Sequence, residues 1–209
     1  MSHAPNCCSI VELREYTLHP GQRENLIELF DREFVETQEA LGIHVIAQFR
    51  DVDRPDRFVW LRGFPDMDAR LASLSAFYGG PVWDAHKDAA NATMIDSDNV
   101  LLLRPARPGS GFVHPPERSR DDIAEPGHAY SIRVRPRLDV PMTDEVGGEL
   151  LADLVTEPSA NTYPRLPIRE GEDVSVTVWR LPAVDAPGNP GDAESLTMRL
   201  LPTSRSELA

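Results

Sequence analysis

A chain of 209 residues, 41% hydrophobic and 26% charged, has the balance of a globular protein long enough for one large domain or two small ones sharing a core. Its net charge of −13 repels phosphate backbones and anionic lipid, which disfavours nucleic-acid and membrane-surface partners and reads as solubility. No stretch reaches the roughly 20 apolar residues of a membrane helix, and the opening MSHAPNCCSI lacks the features of a signal peptide, so a cytoplasmic protein is expected.

In chain order, the adjacent Cys7 and Cys8 form a pair too strained for an ordinary structural disulfide and read as incidental rather than nucleophilic. Ser9 to Leu18 alternates as a strand, with Val11, Leu13 and Thr17 on one face and Glu12, Arg14 and Tyr16 on the other. Pro20-Gly21 breaks it and opens a helix in which Leu26, Phe30, Phe34 and Leu41 form an apolar stripe; Gly42 ends it. Ile43 to Arg50 and Arg57 to Phe64 are the next two strands, joined by a turn over DVDRPD. Asp66 caps a short helix carrying Met67, Leu71, Leu74 and Phe77, and Pro81 starts another that runs to about Thr93. Val100 to Leu103 closes the unit. The order strand, helix, two strands, helix, strand is an α+β pattern with helices on one face of an antiparallel sheet.

Residues 106–127, rich in Pro, Gly and charge, read as a linker between a first unit at 1–105 and a second at 128–209. In the second, Ala129 to Arg135 is a strand, Thr143 to Val155 a helix, and Asn161 to Ile168 a proline-interrupted edge strand. Val174 to Leu181 and Ser195 to Leu201 are the last strands. Pro182 to Asp192 shows no helical period, so the second unit repeats the first without its second helix.

Three stretches carry a family resemblance: VELREYTLHPG (Val11 to Gly21), FVWLRGFPDMDAR (Phe58 to Arg70) and FYGGPVWDAHKDAANATMIDSDNVLLLRP (Phe77 to Pro105). They resemble the NIPSNAP family of the dimeric α/β-barrel superfamily. NTYPRLPIREGE (Asn161 to Glu172) and, more loosely, Leu196 to Leu208 resemble the C-terminal part of longer bacterial members. The resemblance implies two ferredoxin-like units with antiparallel sheets packed face to face as a barrel and helices outside, the barrel forming within one chain or between chains. Among superfamily relatives are cofactor-free monooxygenases, haem-binding enzymes and proteins without a known reaction, and fold analogy does not choose among them.

Two groups of residues are candidates for chemistry. With Val11, Leu13, Val59 and Leu61 turned to the helices, Glu12, Arg14, Tyr16, Trp60 and Arg62 point into the barrel. On the second strand either Gln48 and Arg50 or Ala47 and Phe49 face inward, Gln48 being favoured as the polar match. Such a cluster either fills the barrel as buried ion pairs or orients a small-molecule anion through its arginines. In GGPVWDAH, Trp83 and His86 lie three apart on one helix, beside Tyr78, so His86 is a candidate general base, with Arg62 and Arg14 as anion clamp, and the one candidate haem ligand. The plainer alternative makes Trp83 core and His86 a local bridge. The remaining histidines lack metal-ligand spacing and no nucleotide motif is present, so neither metal nor dedicated cofactor is expected. The leading expectation is an enzyme acting on an organic, aromatic or anionic substrate without a cofactor motif. The rival is a non-catalytic binding or assembly protein, with a homo-oligomer open to both.

Overall fold

The computed structural model describes residues 7–113, 127–137, 148–181 and 195–208. Strand β1 (Ile10–Leu18) leads into α1 (Arg23–Leu29), which passes through one π-helical turn (Phe30–Phe34) into α2 (Val35–Glu39). Gly42, at a φ of +83° that side-chain-bearing residues avoid, turns the chain into β2 (His44–Asp51). After β3 (Arg57–Phe64), Asp66 Oδ1 accepts the Ala69 N–H at 2.7 Å and caps α3 (Met67–Tyr78). Pro81 occupies the first turn of α4 (Pro81–Asn91), and β4 (Met94–Pro105) returns along β1. The second part contributes β5 (Tyr130–Pro136), β6 (Glu149–Thr156), β7 (Val174–Arg180) and β8 (Leu196–Pro202).

Among the described residues, eight strands pair antiparallel into one closed barrel, in the order β1-β3-β2-β8-β5-β7-β6-β4. The run β4-β1-β3-β2 has the same permutation as β8-β5-β7-β6, so the strand order repeats once around the barrel. Two short seams close it. Phe49, Arg50 and Asp51 of β2 pair with Pro202, Leu201 and Leu200 of β8, and Leu103, Arg104 and Pro105 of β4 pair with Thr156, Val155 and Leu154 of β6.

One apolar cluster draws on every strand, including Val11, Phe49, Leu61, Ile132, Val176 and Leu200, and so fills the barrel. A second joins the outward face of the first four strands to the helices through Tyr16, Trp60, Phe30, Phe34, Leu74 and Phe77. This inverts the expectation from sequence. The alternation divides the two faces as predicted, but Val11, Leu13, Val59 and Leu61 point into the barrel, while Glu12, Arg14, Tyr16, Trp60 and Arg62 lie under the helices. The cause is the second half: its strands supply Ile132, Val134, Val176, Val178, Met198 and Leu200 inward. An eight-stranded barrel has room only for side chains that pack on one another, so the facing positions must be apolar too.

Three other expectations change. Residues 149–156, assigned to a helix over Thr143 to Val155, form β6; residues 143–147 lie outside the described residues. Asn161 to Ile168 is not an edge strand but irregular chain laid over the helix layer, with Tyr163, Leu166 and Ile168 packed against it. Phe112, within the expected linker, is buried in the barrel cluster, so that connection begins as core; residues 114–126 and 182–194 lie outside the described residues.

Candidate functional site

Between the sheet and the helices, four charged side chains meet. Glu12 and Arg14 come from β1, Arg62 from the residue opposite Glu12 on β3, and Arg70 from the first turns of α3. Glu12 Oε2 accepts from Arg14 Nη1 at 2.7 Å and from Arg62 Nε at 2.8 Å, and its Oε1 accepts from Arg70 Nε at 2.7 Å. All four are at most 1% exposed. Burial would raise the Glu12 pKa, but the charges of Arg62, Arg14 and Arg70 outweigh it and hold the carboxyl well below the usual range. Sequence reasoning missed Arg70; the signal available was its place four residues after the capping Asp66, on a helix crossing the β3 face.

Three guanidinium groups against one carboxylate leave this interior with surplus positive charge. Hydrogen bonds absorb part of it: Arg14 Nε donates to Tyr16 Oη at 3.0 Å, Arg62 Nη1 to Gln38 Oε1 at 3.2 Å, and Arg70 Nη1 to Asn161 Oδ1 at 3.1 Å. Aromatic faces take more, with the Arg62 guanidinium carbon 5.1 Å from the Trp60 ring centre and that of Arg14 5.5 Å from Tyr16. Even so, Arg70 Nη2 and Trp60 Nε1 are buried without a hydrogen-bond partner among the described residues. Arg62 Nη2 lies 2.7 Å from Glu12 Oε2 without hydrogen-bonding alignment. Donors left open beside a surplus of positive charge are what an anion would fill.

Next to this cluster is a cavity of about 30 Å³ walled by Tyr16, Phe34, Trp60, Phe77, Tyr78 and Trp83. That is room for about a water molecule, not an organic ligand. One wall is lightly held: α4 has Ala90 as its only buried residue and is joined to α3 by Gly79-Gly80. A second cover comes from the other half of the chain. Tyr163 stacks on Tyr78 with ring centres 6.0 Å apart, and Asn161 and Thr162 both accept from Arg70. The Asn161–Ile168 segment is therefore a strap across the site, a contribution that sequence reasoning placed elsewhere. A larger recess of about 550 Å³ lies over the β4–β6 seam, but its Arg104–Glu157 and Arg169–Glu172 pairs satisfy one another near solvent, and it lacks the buried surplus charge.

Of the residues singled out from sequence, Glu12, Arg14, Tyr16, Trp60, Arg62, Tyr78 and Trp83 do come together, on the helix side of the sheet rather than inside the barrel. Gln48 shares that outward face but is covered by the C-terminal segment: its N–H meets Ser206 Oγ at 3.3 Å and its Oε1 meets Thr203 Oγ1 at 3.4 Å. His86 also stands apart. It is on the outer side of α4, 30% exposed, with Nε2 3.5 Å from Glu33 Oε2 and its ring against Phe34. Glu33 is half-buried and pairs with both Arg32 and His86.

The region that builds this site can be compared with known proteins. Residues 11–108 match the NIPSNAP family model. Among solved structures, a NIPSNAP-like domain protein from Burkholderia xenovorans is 21% identical, covering 54% of this chain and 97% of its own, with a TM-score of 0.46. A NIPSNAP family protein with unknown function from Agrobacterium tumefaciens is 18% identical, covering 51% and 96%, with a TM-score of 0.44. A candidate monooxygenase from Lactobacillus acidophilus NCFM covers 94% of this chain and 96% of its own with a TM-score of 0.52, and at 11% identity it shows a shared fold alone. No curated protein matches. Residues 11–108, which carry β1 to β4 and the charged cluster between sheet and helices, are thus a NIPSNAP domain.

Proposed function

We propose that the space between β1, β3 and the helices binds a small aromatic anion, a phenolate or carboxylate, and that this anion is the substrate. The observation that carries the reading is the surplus of guanidinium charge around Glu12, with open donors at Arg70 Nη2 and Trp60 Nε1 beside an aromatic wall. A flat, electron-rich anion satisfies both parts of that wall, its ring against Trp60 and Tyr78 and its charge towards Arg62 and Arg70. Entry requires α4 to swing on the Gly79-Gly80 junction, because the closed cavity is too small.

The chemistry in keeping with the name of the structural neighbour that covers most of this chain is monooxygenation, and our reading takes the form in which the substrate itself supplies the electrons. In such a step a CH₂ beside the phenolate becomes a carbonyl, one oxygen atom of O₂ is retained, and the other leaves as water. The arginines would stabilise the anion, and the phenols of Tyr16 and Tyr78 are the groups lining the cavity that could move a proton. Supporting that choice over His86 is the histidine's position on the outer side of α4 against Glu33. We further propose that the repeated strand order reflects two ferredoxin-like units related by a pseudo-twofold axis, residues 1–105 and 128–209.

The test is titration with 1-naphthol and with benzoate, read by tryptophan fluorescence. The expected result is saturable quenching that weakens by about tenfold or more in Arg62→Met, the size of one charge-assisted hydrogen bond. Absence of saturable binding, or an Arg62→Met variant with unchanged affinity, overturns the reading and favours an assembly role.

A further inference from the structure

On the opposite face of the same sheet, at one mouth of the barrel, stands a second cluster that the proposed substrate pocket does not use. Cys7 and Cys8 precede β1, His44 opens β2, and Glu207 arrives from the C-terminal segment, 163 residues after the histidine. Cys8 is buried and Cys7 half-buried. The sulfurs of Cys7 and Cys8 and a ring nitrogen of His44 all lie within 4.8 Å of one another. Cys8 Sγ is 3.4 Å from His44 Nδ1, and His44 Nε2 is 2.6 Å from Glu207 Oε2.

We propose that Cys7, Cys8 and His44 bind a soft or borderline closed-shell cation, Zn²⁺ or Cu⁺, with Glu207 as the positioning residue behind the histidine. Two sulfurs and an imidazole select that class of ion over hard cations such as Mg²⁺ or Ca²⁺, which take oxygen ligands. The contact between Nε2 and the Glu207 carboxylate fixes the tautomer: a proton on Nε2 donates to Oε2, which turns the Nδ1 lone pair to the sulfurs. A metal-bound histidine ordinarily has a carboxylate behind it in this way.

The geometry suits such an ion on two counts. Around a tetrahedral zinc with bonds of about 2.0–2.3 Å, ligand atoms stand roughly 3.3–3.8 Å apart. The Cys8–His44 separation of 3.4 Å is in that range. The two sulfurs, at 2.7 Å, must part by about 1 Å, which rotation of the half-buried Cys7 side chain supplies. The backbone around the pair is anchored, Cys7 N–H donating to Phe112 O at 2.7 Å and Ser9 N–H to Phe64 O at 3.1 Å. The fold also keeps room for the Cys8 sulfur. Opposite it is Gly63, where a Cβ would lie 2.2 Å from Cys8 Sγ, so a side chain there would displace the cysteine. With three protein ligands, the fourth position is left for water or an external ligand, reached from the Cys7 side.

The test uses the full-length, fully reduced protein, stripped of metal, titrated with Co²⁺ as a chromophoric stand-in for Zn²⁺ and separately with a Cu⁺ donor complex. The expected result is one ion per chain, with thiolate-to-cobalt charge-transfer absorption in the first arm or stoichiometric Cu⁺ capture in the second; which arm binds more tightly decides the metal. Glu207→Gln should weaken affinity about 10- to 100-fold while leaving the charge-transfer band in place. Because Cys8 is buried and its variant can fail to fold, Cys7→Ser and His44→Gln are the decisive substitutions, each checked for native circular dichroism. Loss of stoichiometric binding in folded Cys7→Ser and His44→Gln supports the site. Binding unchanged by either, no binding in the wild type, or a mass two hydrogens lighter that shows Cys7 and Cys8 oxidised to each other after purification under air and again after reduction, overturns it.

Discussion

Glu12 is the residue on which the helix layer and the sheet agree, since it is shared by a neighbour on its own strand, one on β3 and one on α3. Removing it leaves three buried cations facing one another, whereas removing Arg62 leaves the carboxylate still held by Arg14 and Arg70. Glu12→Gln is therefore expected to cost about 3–5 kcal/mol, the usual penalty for breaking a buried pair, and Arg62→Met clearly less. Chemical denaturation of the two variants measures both. The pH dependence has a definite sign. The folded-state pKa of Glu12 lies below its ordinary value of 4.5, so its ion pairing stabilises the fold fully above that pH and is lost progressively as pH falls from there to the lower, folded value. The gap between wild type and Glu12→Gln should accordingly stay constant from neutral pH down to about pH 5 and narrow progressively below it. At this scale the sequence was informative about partners and silent about direction. Strand alternation places Glu12, Arg14, Tyr16, Trp60 and Arg62 on one face, but a period of two has no inside or outside. The deciding facts, Arg70 and Gln38 as helix-borne partners and an all-apolar set from β5, β7 and β8, lie far away in the chain.

Among the elements, α4 is the least firmly held and the one whose motion the substrate pocket needs. Its side chains divide the work. Trp83 packs on Tyr78 at 4.8 Å, Phe34 at 5.7 Å and Phe77 at 5.9 Å, while His86 makes a surface pair with Glu33. Trp83→Ala should lower the stability of the helix layer by somewhat less than the about 3–5 kcal/mol of a fully buried indole, because Trp83 keeps some exposure. His86→Ala should cost under about 1 kcal/mol, as exposed ion pairs do. Hydrogen exchange localised to residues 81–91 would report both, and a His86→Ala variant as unstable as Trp83→Ala would contradict this division. Element boundaries in the first half were legible because each carries local chemistry: Gly42 at positive φ, the Asp66 cap, Pro81 in a first turn. ELLADLVT was not. Its leucines and valine sit at spacings a helix would also accept, and pairing of 149–156 with β7 and β4 overrode that local preference.

At the scale of the whole molecule, the two halves depend on each other in two ways. The Asn161–Ile168 strap from the second half covers the charged cluster of the first, through Arg70 and the Tyr163–Tyr78 stack. The barrel also closes through two seams of three paired residues each, so each half's apolar sheet face is buried only against the other. That closure was legible only through the family resemblance. Nothing local in Phe49-Arg50-Asp51 says that its partner is Leu200 to Pro202, about 150 residues away, because strand pairing is a non-local fact. The dependence makes a prediction. A fragment ending after Phe112 keeps β1 to β4 and all four helices, yet it exposes Val11, Leu13, Val59, Leu61, Leu101 and Leu103 together with the unpaired edges of β2 and β4. An open apolar face with two free edges is a template for association. Because the strand order of the missing half has the same permutation as that of the fragment, a second copy can in principle take its place, β2 pairing with the partner's β4 twice around a new barrel. The fragment is expected to be dimeric or aggregated by light scattering at micromolar concentration while the full chain keeps its barrel within one molecule. A folded, strictly monomeric fragment would show that the first half is stable without barrel closure, and would move the source of its stability from the barrel cluster to the helix layer.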